Sequence, residues 1–294
     1  MQEPTILLGV GATKAGTSWL FDHLAGHPDC HLRSLKELHY FDTLEHGNFA
    51  GRLKVHRALA AQLAARAGAA SGQAVSRVAA RRADVADWMA VLAQRVENLS
   101  AYLAYLTHGR GARHLVADIT PSYALLPVAR LRAMAGMAAD VRFVYLLRDP
   151  VARLWSQVRM LAARASASAD LVPEAAFALL DRILDGATSG ATERGDYVGA
   201  VTRLRAAVNP ARLLVMFHED MLSPAGLARL SAFLGIRTAA ADFGKRVHAG
   251  PVLAMSDTQI ARARVLLRPQ YDFVASQFPV LPAEWRRNMG EDAL

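Results

Sequence analysis

Cysteine is nearly absent: Cys30 is the only one in 294 residues. That excludes a disulfide within the chain and any cysteine-rich zinc site. No apolar run approaches the roughly 18–20 residues that cross a bilayer. The start, Met1-Gln2-Glu3-Pro4, lacks the basic stretch and apolar core of a secretory signal. The expectation is therefore a cytoplasmic chain without a transmembrane segment. Apolar residues are not scarce: the chain is 53% hydrophobic and 20% charged, which excludes a disordered polymer. No internal repeat or clear linker divides it, so one domain over residues 1–294 is expected. Acid is the scarcer charge, with 26 Asp and Glu against 34 Lys and Arg, a net +8. That balance suits an anionic ligand but does not separate nucleotide, polysaccharide, nucleic acid and membrane.

Four apolar runs read as buried strands: 5–10, 114–117, 141–147 and 212–217. Each lacks alternation, as strands covered on both faces do. Each leads through a turn into helix-like sequence, which argues for an α/β fold with a central parallel sheet flanked by helices. Ligands of such sheets bind beyond the carboxyl ends of the strands. After the first strand–helix unit comes a mostly helical insertion, about 43–112. Its stretch from Ala58 to Arg82 is rich in Ala and Arg. From Asp84 to Leu106, Trp88, Leu92, Val96, Leu99 and Leu103 recur at helical spacing. The insertion serves either as a cover for the sheet or as a lid facing the substrate.

The loop after the first strand reads Gly11-Ala12-Thr13-Lys14-Ala15-Gly16-Thr17-Ser18. It nearly has the spacing of a nucleoside-triphosphate P-loop. Here, however, the lysine lies inside the loop at Lys14, and Thr17 holds the usual lysine position. A Gly-rich turn feeding a helix presents backbone N–H groups and a positive dipole to an anion. Thr17 and Ser18 add hydroxyls, and Lys14 adds a movable charge. A plain strand–helix turn with a chance lysine is the competing reading. A second constellation follows the third predicted strand: Arg148-Asp149-Pro150, with Ser156 eight residues after Arg148. Asp149 suits a helix cap and Pro150 its first turn. Ser156 then falls on the side away from the apolar face, where it and Arg148 can meet one anion. His23 and His27 are four residues apart, but no third ligand joins them, so no metal is expected.

These segments resemble sulfotransferases that use 3′-phosphoadenosine 5′-phosphosulfate (PAPS). Thr13-Lys14-Ala15-Gly16-Thr17-Ser18-Trp19-Leu20 resembles their 5′-phosphosulfate loop, and Arg148 with Ser156 resembles their 3′-phosphate site. Lys36-Glu37-Leu38-His39-Tyr40-Phe41-Asp42 is similar to a segment of the heparan-sulfate type and its bacterial relatives. Asp118-Ile119-Thr120-Pro121-Ser122-Tyr123 and the block beginning Phe217-His218-Glu219-Asp220 are similar to two more.

The resemblance implies PAPS as co-substrate, PAP as product, and no required metal. It implies that Lys14, Ala15, Gly16, Thr17 and Ser18 hold the 5′-phosphosulfate, and that Arg148 and Ser156 hold the 3′-phosphate. Trp19 and Tyr197 would lie near the adenine, Trp19 having helix core as an equal alternative. Lys245 and Arg246 would be further 3′-phosphate contacts or a solvated pair. Glu37 would be the general base and Lys14 would stabilise the leaving oxygen. His39 would be catalytic or, with Lys36, acceptor-binding. The acceptor would carry a hydroxyl or amine, with a carbohydrate or small metabolite expected first, and no nucleic-acid partner is expected. Two departures stand out. The chain has no counterpart of the membrane anchor and disulfide loop of Golgi members, and Ile119 stands where heparan-sulfate enzymes often carry lysine. The rival readings are a P-loop kinase or hydrolase and a non-catalytic relative that binds a nucleotide or anionic glycan.

Overall fold

The computed structural model describes residues 3–68, 71–244 and 253–290. Its centre is a five-stranded parallel sheet in the order β2-β3-β1-β4-β5. The strands are β1 (Thr5–Gly11), β2 (Cys30–His31), β3 (Leu115–Asp118), β4 (Val141–Leu147) and β5 (Leu213–Phe217). Every residue of β1 is buried, as expected of the central strand in a sheet covered on both faces. The four predicted strands are present to within a residue at each end. The edge strand β2 has two residues, too few to leave a pattern in the sequence.

Helix α1 (Thr17–Ala25) follows β1 and ends at Gly26. Then come α2 (Tyr40–His46), α3 (Phe49–Ala67), α4 (Gln73–Ala93) and α5 (Leu99–Thr107). This corrects the reading of the insertion. The Ala- and Arg-rich stretch is shared between α3 and α4. The expected helix from Asp84 to Leu106 is broken after Ala93. The break has two local causes. Arg95 takes a left-handed conformation, φ 55°, and Asn98 caps α5 by accepting a hydrogen bond from the Ala101 N–H. Trp88 and Leu92 therefore reach the core while Val96 stays exposed.

After β3 come α6 (Val128–Ala135), β4 and α7 (Pro150–Ala165), then α8 (Val172–Leu184), α9 (Gly190–Glu193) and α10 (Tyr197–Ala207). Beyond β5 lie α11 (His218–Met221), α12 (Pro224–Leu234), α13 (Asp257–Gln277) and α14 (Ala283–Met289). Asp149 caps α7 through the Ala152 N–H at 2.8 Å, and Pro150 opens its first turn. Asp149 also accepts from the Tyr271 hydroxyl of α13 at 2.6 Å. Among the described residues, no helix is long and apolar enough to cross a membrane.

Candidate active site

The loops after β1, β3, β4 and β5 all leave the same end of the sheet, because the strands are parallel. That end gathers the predicted residues. The loop after β1 needs Gly16, whose φ is 92°. A Cβ there would lie 2.3 Å from Nδ1 of His218, the first residue after β5. Gly16 thus lets the loop settle against α11. Gly16→Ala should force that contact apart and cost about 1–3 kcal/mol of stability, read by chemical denaturation. His218 is pushed down to about 4 by burial and by the Arg148 charge, so its ring is neutral.

The first-turn N–H groups of α1 have no carbonyl one turn back to bond. Ala15 is different: it is fully buried, and its N–H donates to the Ala12 carbonyl at 3.1 Å. Ala15 shapes the loop, its N–H already engaged within it. Lys14 has φ 70°, and its pKa is lowered. Burial is the main cause, followed by the positive charges of Arg148, Lys36, Arg164 and Arg159. Five cations converging on one loop make a field that an anion would relieve. Arg159 and Arg164 were not singled out in the sequence. Arg159 shares the half-buried stripe of α7 with Ala152 and Ser156, and that helical spacing was the available signal.

The two phosphate-loop candidates touch. The Arg148 guanidinium donates from Nη1 to the Lys14 carbonyl at 3.1 Å. Behind Arg148 lies Tyr197, whose hydroxyl donates to the Arg148 carbonyl at 2.5 Å. Tyr197 is fully buried, with Trp285 of α14 stacked on it at 6.0 Å and Tyr145 edge-on at 6.3 Å. This corrects the expectation of an adenine neighbour: no ring surface is free for a base, and Tyr197 instead holds the arginine from behind. Trp19 is mostly buried, stacked on His23 at 5.2 Å and on Phe243 at 6.1 Å. His27 bonds the Arg237 carbonyl, while His23 is held by its stack on Trp19. Lys245 and Arg246 lie outside the described residues. Among the described residues, no cluster of three His, Cys, Asp or Glu suits a metal.

Lys36, Glu37 and His39 form the other wall. Lys36 Nζ donates to Ser18 Oγ at 2.9 Å and to Glu37 Oε1 at 3.0 Å, which ties the wall to the start of α1. Glu37 and His39 both hold left-handed backbone, φ 63° and 55°. Non-glycine residues in that region carry strain and cluster at functional sites. His39 Nδ1 donates to Asp42 Oδ2 at 2.6 Å, and its Nε2 lies 3.7 Å from Glu37 Oε2. Ser122 donates to Asp42 at 2.9 Å. Burial raises the Glu37 pKa, but the His39 and Lys36 hydrogen bonds and charges outweigh it and hold the carboxyl at about 2. Burial lowers the His39 pKa, but its bonds to Asp42 and Glu37 outweigh that, leaving a net rise.

The loop after β3 supports this wall. Asp118 is buried and accepts from Thr120, Tyr102 and Tyr123 at 2.6–2.9 Å. Thr120 Oγ1 accepts from the His39 N–H, and the Tyr123 hydroxyl accepts from the Tyr40 N–H. Ile119 is buried against Gly9, so this position is core and not acceptor surface. Asp42 and Ser122 are the site residues that sequence reasoning missed. The His39–Asp42 spacing of three was a visible signal.

A profile described as the sulfotransferase family matches residues 6–240. No curated protein matches the chain in sequence. Solved structures share its fold, among them two bacterial sulfotransferases. The sulfotransferase from Alicyclobacillus acidocaldarius is 18% identical, with a TM-score of 0.58 over 97% of this chain and 100% of that one. The sulfotransferase domain of the Synechococcus PCC 7002 olefin synthase is 19% identical, with a TM-score of 0.50 over 90% and 94%.

Proposed function

The chain belongs to the sulfotransferase family, and on that premise we propose that it moves a sulfuryl group from PAPS to an acceptor hydroxyl or amine. The observation that carries the proposal is the bond from Arg148 to the Lys14 carbonyl. It sets two anion-binding loops side by side, as a nucleotide phosphorylated at both 5′ and 3′ positions requires. Fit is supported by the positive charges of Arg148, Lys36, Arg164 and Arg159 acting on Lys14, and by the close-packed turn at Gly16.

PAPS supplies the sulfuryl group, and the protein supplies position and charge. Lys14, Thr17, Ser18 and the start of α1 receive the 5′ end. Arg148 and Ser156 receive the 3′-phosphate. Glu37 takes the proton of the acceptor as the new bond to sulfur forms, and Lys14 neutralises the oxygen whose bond to sulfur breaks. A carboxyl held near 2 is a weak base. Lys36 bears on this, because it is shared between Glu37 and Ser18. An anion at the start of α1 draws Lys36 toward itself and frees Glu37 to accept a proton.

Calorimetry tests the donor site. The protein should bind PAP at least about tenfold more tightly than adenosine 5′-monophosphate, and Arg148→Ala should erase the difference, since a charged hydrogen bond contributes about 1.5–3 kcal/mol. Equal affinity of the unaltered protein for the two nucleotides, or a preference for Mg-ATP, would overturn the assignment.

A further inference from the structure

The start of α3 carries polar atoms that nothing in the fold satisfies. Arg52 and His56 are four residues apart and so share a helical face. Arg52 Nη2 reaches Asp42 Oδ2 only at 3.5 Å, and its Nε is buried without a partner. His56 and Asp42 are 8% and 7% exposed. His56 Nδ1 and Asp42 Oδ1 are also buried and unpartnered. His56 lies close enough to Arg52 and His39 to feel both charges. Buried polar atoms nearly always have partners. Three without one, beside a residue that flanks Glu37, point to a missing ligand group.

Charge indicates which kind. Between Glu45 and Asp84 the chain has seven Lys or Arg and no Asp or Glu. That stretch is α3 and the first half of α4. Arg52 is its nearest cation to the reaction centre, held there by Asp42, while Lys54 and Arg57 are exposed beyond it. A surface of one sign raises the local concentration of the opposite charge.

We propose that Arg52 and His56 form a subsite for an anionic group of the acceptor, a carboxylate or a sulfate ester, next to the hydroxyl or amine that reacts. The proposal rests on the sulfuryl-transfer reading above. Arg52 offers Nε and Nη2 as a planar fork, the geometry that matches two oxygens of such a group. His56 adds one N–H. Asp42 Oδ1 accepts from a neighbouring hydroxyl of the same acceptor. The acceptor is therefore an anionic hydroxy compound, and Arg52 and His56 select it.

The test uses the full chain loaded with PAP and two matched sets of probes. One set is D-glucuronate and D-glucose 6-sulfate against D-glucose. The other is 4-hydroxyphenylacetate against 4-hydroxyphenylacetamide. Calorimetry should show an anionic member of at least one set binding about tenfold or more tightly than its neutral counterpart, and the sugar set separates carboxylate from sulfate ester. Arg52→Gln should remove that preference and leave the neutral probe within about twofold, Arg52→Lys should keep part of it, and His56→Gln should weaken it less. Unchanged PAP affinity in each variant shows that it has folded. No anionic preference in either set, a preference that survives Arg52→Gln, or parallel loss of neutral binding would overturn the subsite. Failure to bind PAP, with Arg52-dependent binding of the anions intact, would instead sink the donor reading and leave the subsite standing.

Discussion

Lys14→Ala is expected to lower kcat/KM for sulfuryl transfer by about a thousandfold and to weaken PAP binding as well. Removing one donor from a charge-stabilising pocket costs about 10²–10³ in rate, and here the donor is a full cation near the centre of the loop. Its pKa is lowered, by burial and then by neighbouring cations, so folding disfavours its charged form. An anion would reverse that cost. Lys14→Met keeps the length of the chain and should fail equally. Transfer by either variant at more than about a tenth of the original rate would move the role elsewhere in the cluster.

Glu37→Gln should leave PAP affinity nearly unchanged and reduce turnover by about 10²–10⁴, the usual contribution of a positioned base. The pH profile separates Glu37 from His39. A base works in its deprotonated form, so the rate falls as pH drops through its pKa. Glu37 is held at about 2, below its ordinary 4.5. If it is the base, kcat/KM should stay flat as pH falls, until well below 4.5. His39 is raised above 6.5. If it takes the proton, the rate should already be falling at a pH above 6.5. His39→Asn adds a second check: it removes a partner that holds Glu37 down, so the acid limb should move up if Glu37 is the base.

The most legible parts of the molecule were those whose chemistry is local. The strand ends, the turn at Gly16, and the Asp149 cap with Pro150 depend on neighbouring residues, and all are present. The wall of the site was legible only as a set of residues. Lys36, Glu37 and His39 stand together in sequence, but their links to Ser18, Asp42 and Ser122 depend on a left-handed turn and on a loop from another strand. The insertion is helical as expected, but the break inside 84–106 is hidden because apolar spacing continues through the turn that Arg95 and Asn98 make. Tyr197 was misjudged because a tyrosine just after Gly195-Asp196 says nothing about Trp285, which arrives from the far end of the chain and buries it. Arg52 and His56 went unremarked because their meaning lies in atoms left without partners, and no sequence pattern reports that.

Trp285 sets an order of events during synthesis. Both candidate phosphate loops have left the ribosome once β4 and α7 have emerged. The wedge behind Arg148, Trp285 on Tyr197, comes from residues made much later. A nascent chain therefore carries Lys14 and Arg148 before it carries the backing of Arg148. Arg148 gains its backing only after α14 has docked.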